Sequence, residues 1–176
     1  QFLPELSERT THLTHGMVKL KGGVKMSSRK GNILRAVDVL EVAAEANRAN
    51  TGKDDDAVAL GAVKYAFLKQ RIGPDVVYDP DESVSITGNS GPYLQYALVR
   101  AKSIWRNSPA GAQTELSQVA DLQLAERSLA WKIGEYPEVI EKAARELLPH
   151  HVAVYLYELA QEFNRFYEQS RIIGDE

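Results

Sequence analysis

Three observations predict a mainly α-helical fold with a small β-hairpin at its front. From Tyr93 onward, apolar residues recur at three- and four-residue intervals, the spacing that lines one face of a helix. β-favourable runs are short and confined to residues 17–26 and 76–86. Elsewhere, acidic residues before apolar stretches and Gly or Pro after them punctuate the chain at helix length.

In chain order, Met17-Val18-Lys19-Leu20 and Val24-Lys25-Met26 flank Lys21-Gly22-Gly23. Gly-Gly adopts positive φ at little cost, so a tight hairpin is expected. Ser27 to Asn32 lacks any periodicity and reads as a loop. Asp38 followed by Glu41 has capping-box spacing, which predicts a helix start at Asp38. Its end is expected near Asn50-Thr51-Gly52, where Asn and Gly tolerate the left-handed cap. Asp54-Asp55-Asp56 opens the next helix and Lys69 and Arg71 close it, charges that suit the helix dipole. Ala59, Val63, Ala66 and Phe67 give that helix an apolar stripe.

Val76-Val77-Tyr78 and Val84-Ser85-Ile86 read as short strands around Asp79-Pro80-Asp81, and residues 87–92 form a turn cluster. A helix covers Tyr93 to Asn107, and a Ser/Pro/Gly/Gln linker reaches about Ser117. Another helix is expected from Leu122 to Trp131, with Pro137 interrupting or restarting it. Pro149 suits a helix start because its missing amide would be unpaired there anyway. Val152, Tyr155, Leu156, Leu159, Phe163, Phe166 and Tyr167 line one broad face of this last helix. Trp105, Trp131, Phe163 and Phe166 are expected in the core, and no solenoid-type repeat is visible.

With 176 residues, 44% hydrophobic and 26% charged, the chain has the balance of a soluble globular protein. No apolar run is long enough to span a bilayer, and no signal segment opens the chain. The absent initiator Met suggests an internal piece of a longer protein. Without cysteine there are neither disulfides nor thiolate metal sites, which suits a cytoplasmic location. The net charge of -3 is uneven: residues 1–35 hold seven Lys/Arg against Glu5 and Glu8, a balance of +5, leaving -8 for the rest. A basic, Gly-rich front points to a polyanion; on charge alone, a solvated basic loop is the plainer explanation.

The informative segment is Lys25-Met26-Ser27-Ser28-Arg29-Lys30-Gly31-Asn32. It gathers three cations, two hydroxyls and a flexible Gly directly after a strand. Lys supplies a compact ammonium, Arg a planar fork for bidentate phosphate contact, and the serines further donors. Charge and donors held on a loop suit a reaction in which negative charge builds on phosphates. These features specify phosphate binding and no particular reaction. His12 and His15, like His150-His151, lack carboxylate or Cys partners at ligand spacing and read as ordinary histidines, so no metal site is expected.

This segment resembles the second signature of class I aminoacyl-tRNA synthetases, the K-M-S-K-S loop that closes over ATP. It departs from that signature at the second lysine, where it has Ser28. The resemblance implies that Lys25 stabilises the triphosphate as the amino acid attacks the α-phosphate, with Met26, Ser27, Ser28 and Arg29 beside it. Four further stretches, in the expected order, are similar to arginyl-tRNA synthetases: His15-Gly16-Met17-Val18, Ala62-Val63-Lys64-Tyr65-Ala66, Gly88 to Ala97, and Tyr155 to Tyr167. They imply the end of a class I catalytic domain over residues 1–80 and a helical-bundle anticodon-binding domain over 81–176. ATP, accompanied by Mg²⁺, arginine and tRNA(Arg) are the implied partners. No membrane, no protein-held metal and a monomer are expected. Asn89, Tyr93, Asn164 and Tyr167 are the candidate tRNA contacts, since exposed aromatics stack on unpaired bases and Asn reads base edges.

The H-I-G-H signature and the arginine-binding strands are not in this sequence, and the last helices of the anticodon domain also look missing. The chain alone is therefore expected to be inactive. The alternatives are another class I synthetase of lysine or cysteine type, a non-catalytic RNA-binding module, and a helical interaction domain with no nucleic-acid partner. The acidity of the bundle counts against an RNA role, because phosphate contacts favour positive charge.

Overall fold

The computed structural model describes residues 8–22, 24–25, 35–53, 55–108, 121–170 and 172, with Leu20, Val24 and Lys25 described by backbone alone. The protein is mainly helical, as predicted. Strands β1 (Val18–Leu20) and β2 (Val24–Lys25) pair antiparallel with Leu20 opposite Val24 and Lys19 opposite Lys25. Gly22 takes the positive φ that the hairpin turn requires. A third strand, β3 (Val76–Tyr78), joins β1 in parallel, Val18 opposite Val76, and completes a sheet of order β2-β1-β3.

Helix α1 runs Ala36–Thr51, two residues earlier at its start than Asp38 suggested. Asp38 is its N3 residue: its carboxylate accepts from the Arg35 backbone amide at 2.7 Å and from the Arg35 guanidinium at 2.6 Å. The carboxylate therefore satisfies the orphan amide of Arg35 from the N3 position of the capping box rather than from the cap. The end falls as predicted, on Gly52 in the left-handed conformation. Helix α2 (Asp56–Leu68) starts at Asp55, whose side chain accepts from the Ala57 and Val58 amides. Its buried line is Ala59, Ala62 and Tyr65; Val63, Ala66 and Phe67 are only partly covered.

The expected strand Val84–Ile86 does not form. Asp79 caps a one-turn helix, α3 (Pro80–Ser83), by accepting from the Asp81 and Glu82 amides, and Val84 is buried as that turn ends. Helix α4 (Gly91–Asn107) follows, with Ser90 as its cap. Helices α5 (Leu124–Gly134) and α6 (Tyr136–Glu146) divide at Glu135, with Pro137 in the first turn of α6 as a restart. Helix α7 (His150–Gln169) follows Pro149. It is the central element: α2, α4, α5 and α6 all pack against it.

The core is unusual in composition. Of the buried hydrophobics, Ala43, Ala59, Ala62, Ala97, Ala125, Ala153 and Ala160 are alanines. Small residues let helix backbones approach closely, so the large apolar side chains flank the contact lines instead of filling them. Both tryptophans correct the sequence reading. Trp105 is 84% exposed and Trp131 75% exposed, because each lies off the helix face that carries Ala97 or Ala125. Phe163 and Phe166 are half-buried.

Ion pairs hold the sheet to its surroundings. Lys19 Nζ lies 2.6 Å from Asp75 Oδ2, and Lys21 Nζ 2.7 Å from Asp79 Oδ2. Part of the basic excess at the front of the chain is therefore neutralised by the acids that bracket β3. The Lys21 ammonium, followed by backbone amides, holds the Asp79 carboxyl below its ordinary 3.8. A carboxyl lowered on folding stabilises the native state above about pH 3.8 and loses that contribution as pH falls through the folded value. Asp79→Asn, which keeps a capping side chain, should therefore be less stable than the parent near neutral pH. The gap should close as the pH drops below that point, as urea midpoints at the two extremes would show.

Candidate functional site

Of the phosphate-binding candidates, Lys25 ends β2, and its backbone register places it opposite Lys19 on the central strand. Met26, Ser27, Ser28 and Arg29 lie outside the described residues. What the structure supplies here is the anchorage: a strand paired to β1, which is itself paired to β3 and tied to its flanks by Lys19–Asp75 and Lys21–Asp79.

The four tRNA candidates fall into two groups. Asn89 belongs to an internal joint. Its side-chain oxygen accepts from the Tyr65 hydroxyl at 2.6 Å, a hydroxyl that also lies 3.1 Å from the Ala153 carbonyl oxygen. The Asn89 carbonyl accepts from Lys69 Nζ at 2.8 Å, and the same ammonium reaches Glu82 at 2.8 Å. Burial, with a smaller contribution from Tyr157, pushes the Tyr65 hydroxyl up to about 12, so it remains a proton donor across the ordinary pH range. Tyr93 packs its ring against Tyr157 at 5.5 Å between centroids. This first pair therefore bonds α2, the turn before α4, and α7 together.

The second group is at the far end of the same helices. Tyr167 is 40% exposed, whereas Asn164 is 9% exposed and its side-chain oxygen accepts from Arg100 Nη1 at 3.2 Å. Arg100 is the residue the sequence reading missed. Its Cζ lies 4.3 Å from the Tyr96 ring centroid and 4.7 Å from that of Tyr167, and its Nη2 donates to the Tyr96 hydroxyl at 2.6 Å. No carboxylate pairs with it among the described residues. Both contacts are favourable cation–π geometry. The available signal was the Tyr96/Arg100 spacing of four, which places the two on one face of α4.

Beside this cluster lies a hollow of about 320 Å³, lined by Ser103, Ile104 and Asn107 of α4 and by Tyr167, Ser170 and Ile172. Ser170 Oγ is buried with no hydrogen-bond partner among the described residues. Two exposed phenol rings, a guanidinium with no carboxylate partner among the described residues, and a hollow rimmed by hydroxyl and amide groups suit an unpaired nucleotide. The rings offer π faces, the cation attracts phosphate or a base edge, and the polar rim provides hydrogen bonds.

The histidines play other parts. His151 Nε2 lies 2.8 Å from Glu146 Oε2, bracing the turn between α6 and α7, and its ring packs at a tilt against that of His150, 4.2 Å between centroids. Among the described residues, no group of three or more His, Asp or Glu is placed to hold a metal ion. No helix among them is long and apolar enough to cross a membrane.

Residues 94–176 match the family described as the DALR anticodon binding domain. An arginine–tRNA ligase of Porphyromonas gingivalis is 33% identical over 98% of this chain, and one of Borreliella burgdorferi is 34% identical over 95%. The matches cover 32% and 31% of those proteins, so the chain spans about a third of the length of the curated relatives it matches. Among solved structures, the arginyl-tRNA synthetase of Thermus thermophilus superposes with a TM-score of 0.79 at 34% identity, covering 96% of this chain and 29% of that one. That of Plasmodium falciparum, at 22% identity and a TM-score of 0.69, shares the fold over 91% of this chain and 29% of that one.

Proposed function

From its membership of the arginyl-tRNA synthetase family, to which this chain belongs, we propose that the whole polypeptide joins arginine to tRNA(Arg). ATP and arginine give arginyl-adenylate and pyrophosphate, and the terminal ribose of the tRNA then takes the arginyl group. The chain supplies two parts of this machinery. Lys25, with Met26, Ser27, Ser28 and Arg29 after it, forms the loop that neutralises the triphosphate. The helices after residue 80 form the surface that receives the anticodon. Mg²⁺ would travel with the nucleotide, since the loop's cations and hydroxyls suit phosphate oxygens rather than a metal ion. We further propose a division of labour near residues 80 and 81, a cytoplasmic location and a monomeric state.

The observation that carries the RNA half of this reading is Arg100, held between Tyr96 and Tyr167 with its charge unpaired by any described carboxylate. It also answers the objection from acidity: a local cation on an aromatic bed serves an RNA contact even where the total charge is negative. Asn89 and Tyr93 support the surface from within, through Tyr65 and Tyr157.

The test uses the full-length polypeptide and a fluorescein-labelled anticodon stem-loop RNA bearing an arginine anticodon. Tyr167→Ala should weaken binding by about 1–3 kcal/mol, the range for one stacked base. Arg100→Ala should weaken it comparably and reduce the salt dependence of affinity. Unchanged binding by both variants removes the RNA-contact assignment.

A further inference from the structure

We propose that Asn164 is a positioning residue: its side-chain oxygen fixes the Arg100 guanidinium at the edge of the aromatic bed while leaving its charge intact. This inference rests on the reading of Tyr96, Arg100 and Tyr167 as an RNA-contact surface. Asn164 lies on the buried line of α7 with Ala153 and Ala160, and its oxygen meets Arg100 Nη1 at 3.2 Å across the junction with α4. A guanidinium offers donors only, so the amide must present its oxygen there. An arginine side chain carries about 2 kcal/mol of rotamer entropy, and an acceptor already in place lowers what remains to be lost when a ligand arrives.

The choice of an amide is the informative part. Elsewhere in this protein cations are held by carboxylates: Lys19 by Asp75, Lys69 by Glu82, Lys132 by Glu135 and Glu158, Arg165 by Glu162. A carboxylate in place of Asn164 would hold Arg100 more strongly, because a bond between two ions is roughly twice as strong as a neutral one. It would also cancel the charge. An amide of the same shape orients the cation and leaves it free to meet a phosphate.

Asn164→Asp in the full-length polypeptide tests this, with the same labelled stem-loop RNA titrated over a range of KCl concentrations. The expected result is a loss of affinity on the order of tenfold. The slope of log K against log salt should also become shallower by about 0.7–0.9, the signature of one cation contact removed. In the double variant Arg100→Ala/Asn164→Asp, the second change should add nothing to the first, because the aspartate acts only through Arg100. Asn164→Asp with parental affinity and slope overturns the proposal. So does a loss that adds to that of Arg100→Ala, which would mean a general disturbance of α7. If Arg100→Ala and Tyr167→Ala themselves leave binding unchanged, the contact surface falls, and the role of Asn164 with it. If they weaken binding while Asn164→Asp does not, only the positioning role is lost.

Discussion

Replacing Lys25 by alanine in the full-length polypeptide is expected to slow ATP–pyrophosphate exchange by roughly 10²- to 10³-fold, with arginine affinity nearly unchanged. The reason lies in when the contact matters. Charge on the triphosphate redistributes as the carboxylate attacks the α-phosphate, so a cation fixed nearby stabilises the transition state more than the bound substrates. An interaction of that kind appears in the rate and not in the binding step. The strand that carries Lys25 is well secured for such a task, because β2 is tied through β1 to β3 and the Lys19–Asp75 and Lys21–Asp79 pairs lock the sheet edges. Exchange at the parental rate would falsify this role. A loss confined to arginine affinity would point instead to a ground-state contact.

Gly91→Ala should be strongly destabilising, costing about 3 kcal/mol, at the upper end of what overpacking costs. A methyl group at Gly91 would lie 2.7 Å from the Gly61 carbonyl carbon and 3.0 Å from the Ala62 nitrogen, both rigid backbone of α2. Neither helix can yield without disturbing the buried alanines on either side, Ala62 and Ala97. In a chain of this size such a loss lowers the melting temperature by roughly 6–12 °C. Gly134→Ala is the control: nothing lies within 4 Å of a methyl group there, so it should be neutral or slightly stabilising. Parallel thermal melts that failed to separate the two variants would rule out a tight α2–α4 crossing.

Sequence patterns located the elements well and their contact faces poorly. Helix ends marked by Gly52, Asp55 and Pro149 were legible because capping is local chemistry. The hairpin was legible from Gly22 and Gly23 for the same reason. Val84 to Ile86 misled because a β-branched run carries no information about Asp79, whose carboxylate caps a helical turn just before it. Trp105 and Trp131 misled because size suggests burial, whereas this bundle closes through alanines that hydrophobic periodicity undervalues. At the candidate site, Tyr167 was visible as an exposed aromatic, but Arg100 was not. Its significance arises from Asn164 and Tyr167, 64 and 67 positions away in sequence, which no local spacing encodes.

The joint at Tyr65 bears on how this molecule can be dissected. One phenol on the second helix reaches both the turn that precedes Gly91 and the carbonyl of Ala153 on the final helix. Severing the chain at the proposed divide near residue 80 would remove that phenol. The Asn89 side-chain oxygen inside the remainder would then lose this donor, and the groove that α2 fills would open to water. A minimal RNA-binding unit built from this protein should therefore begin before Asp55, keeping α2, even though that helix precedes the proposed division.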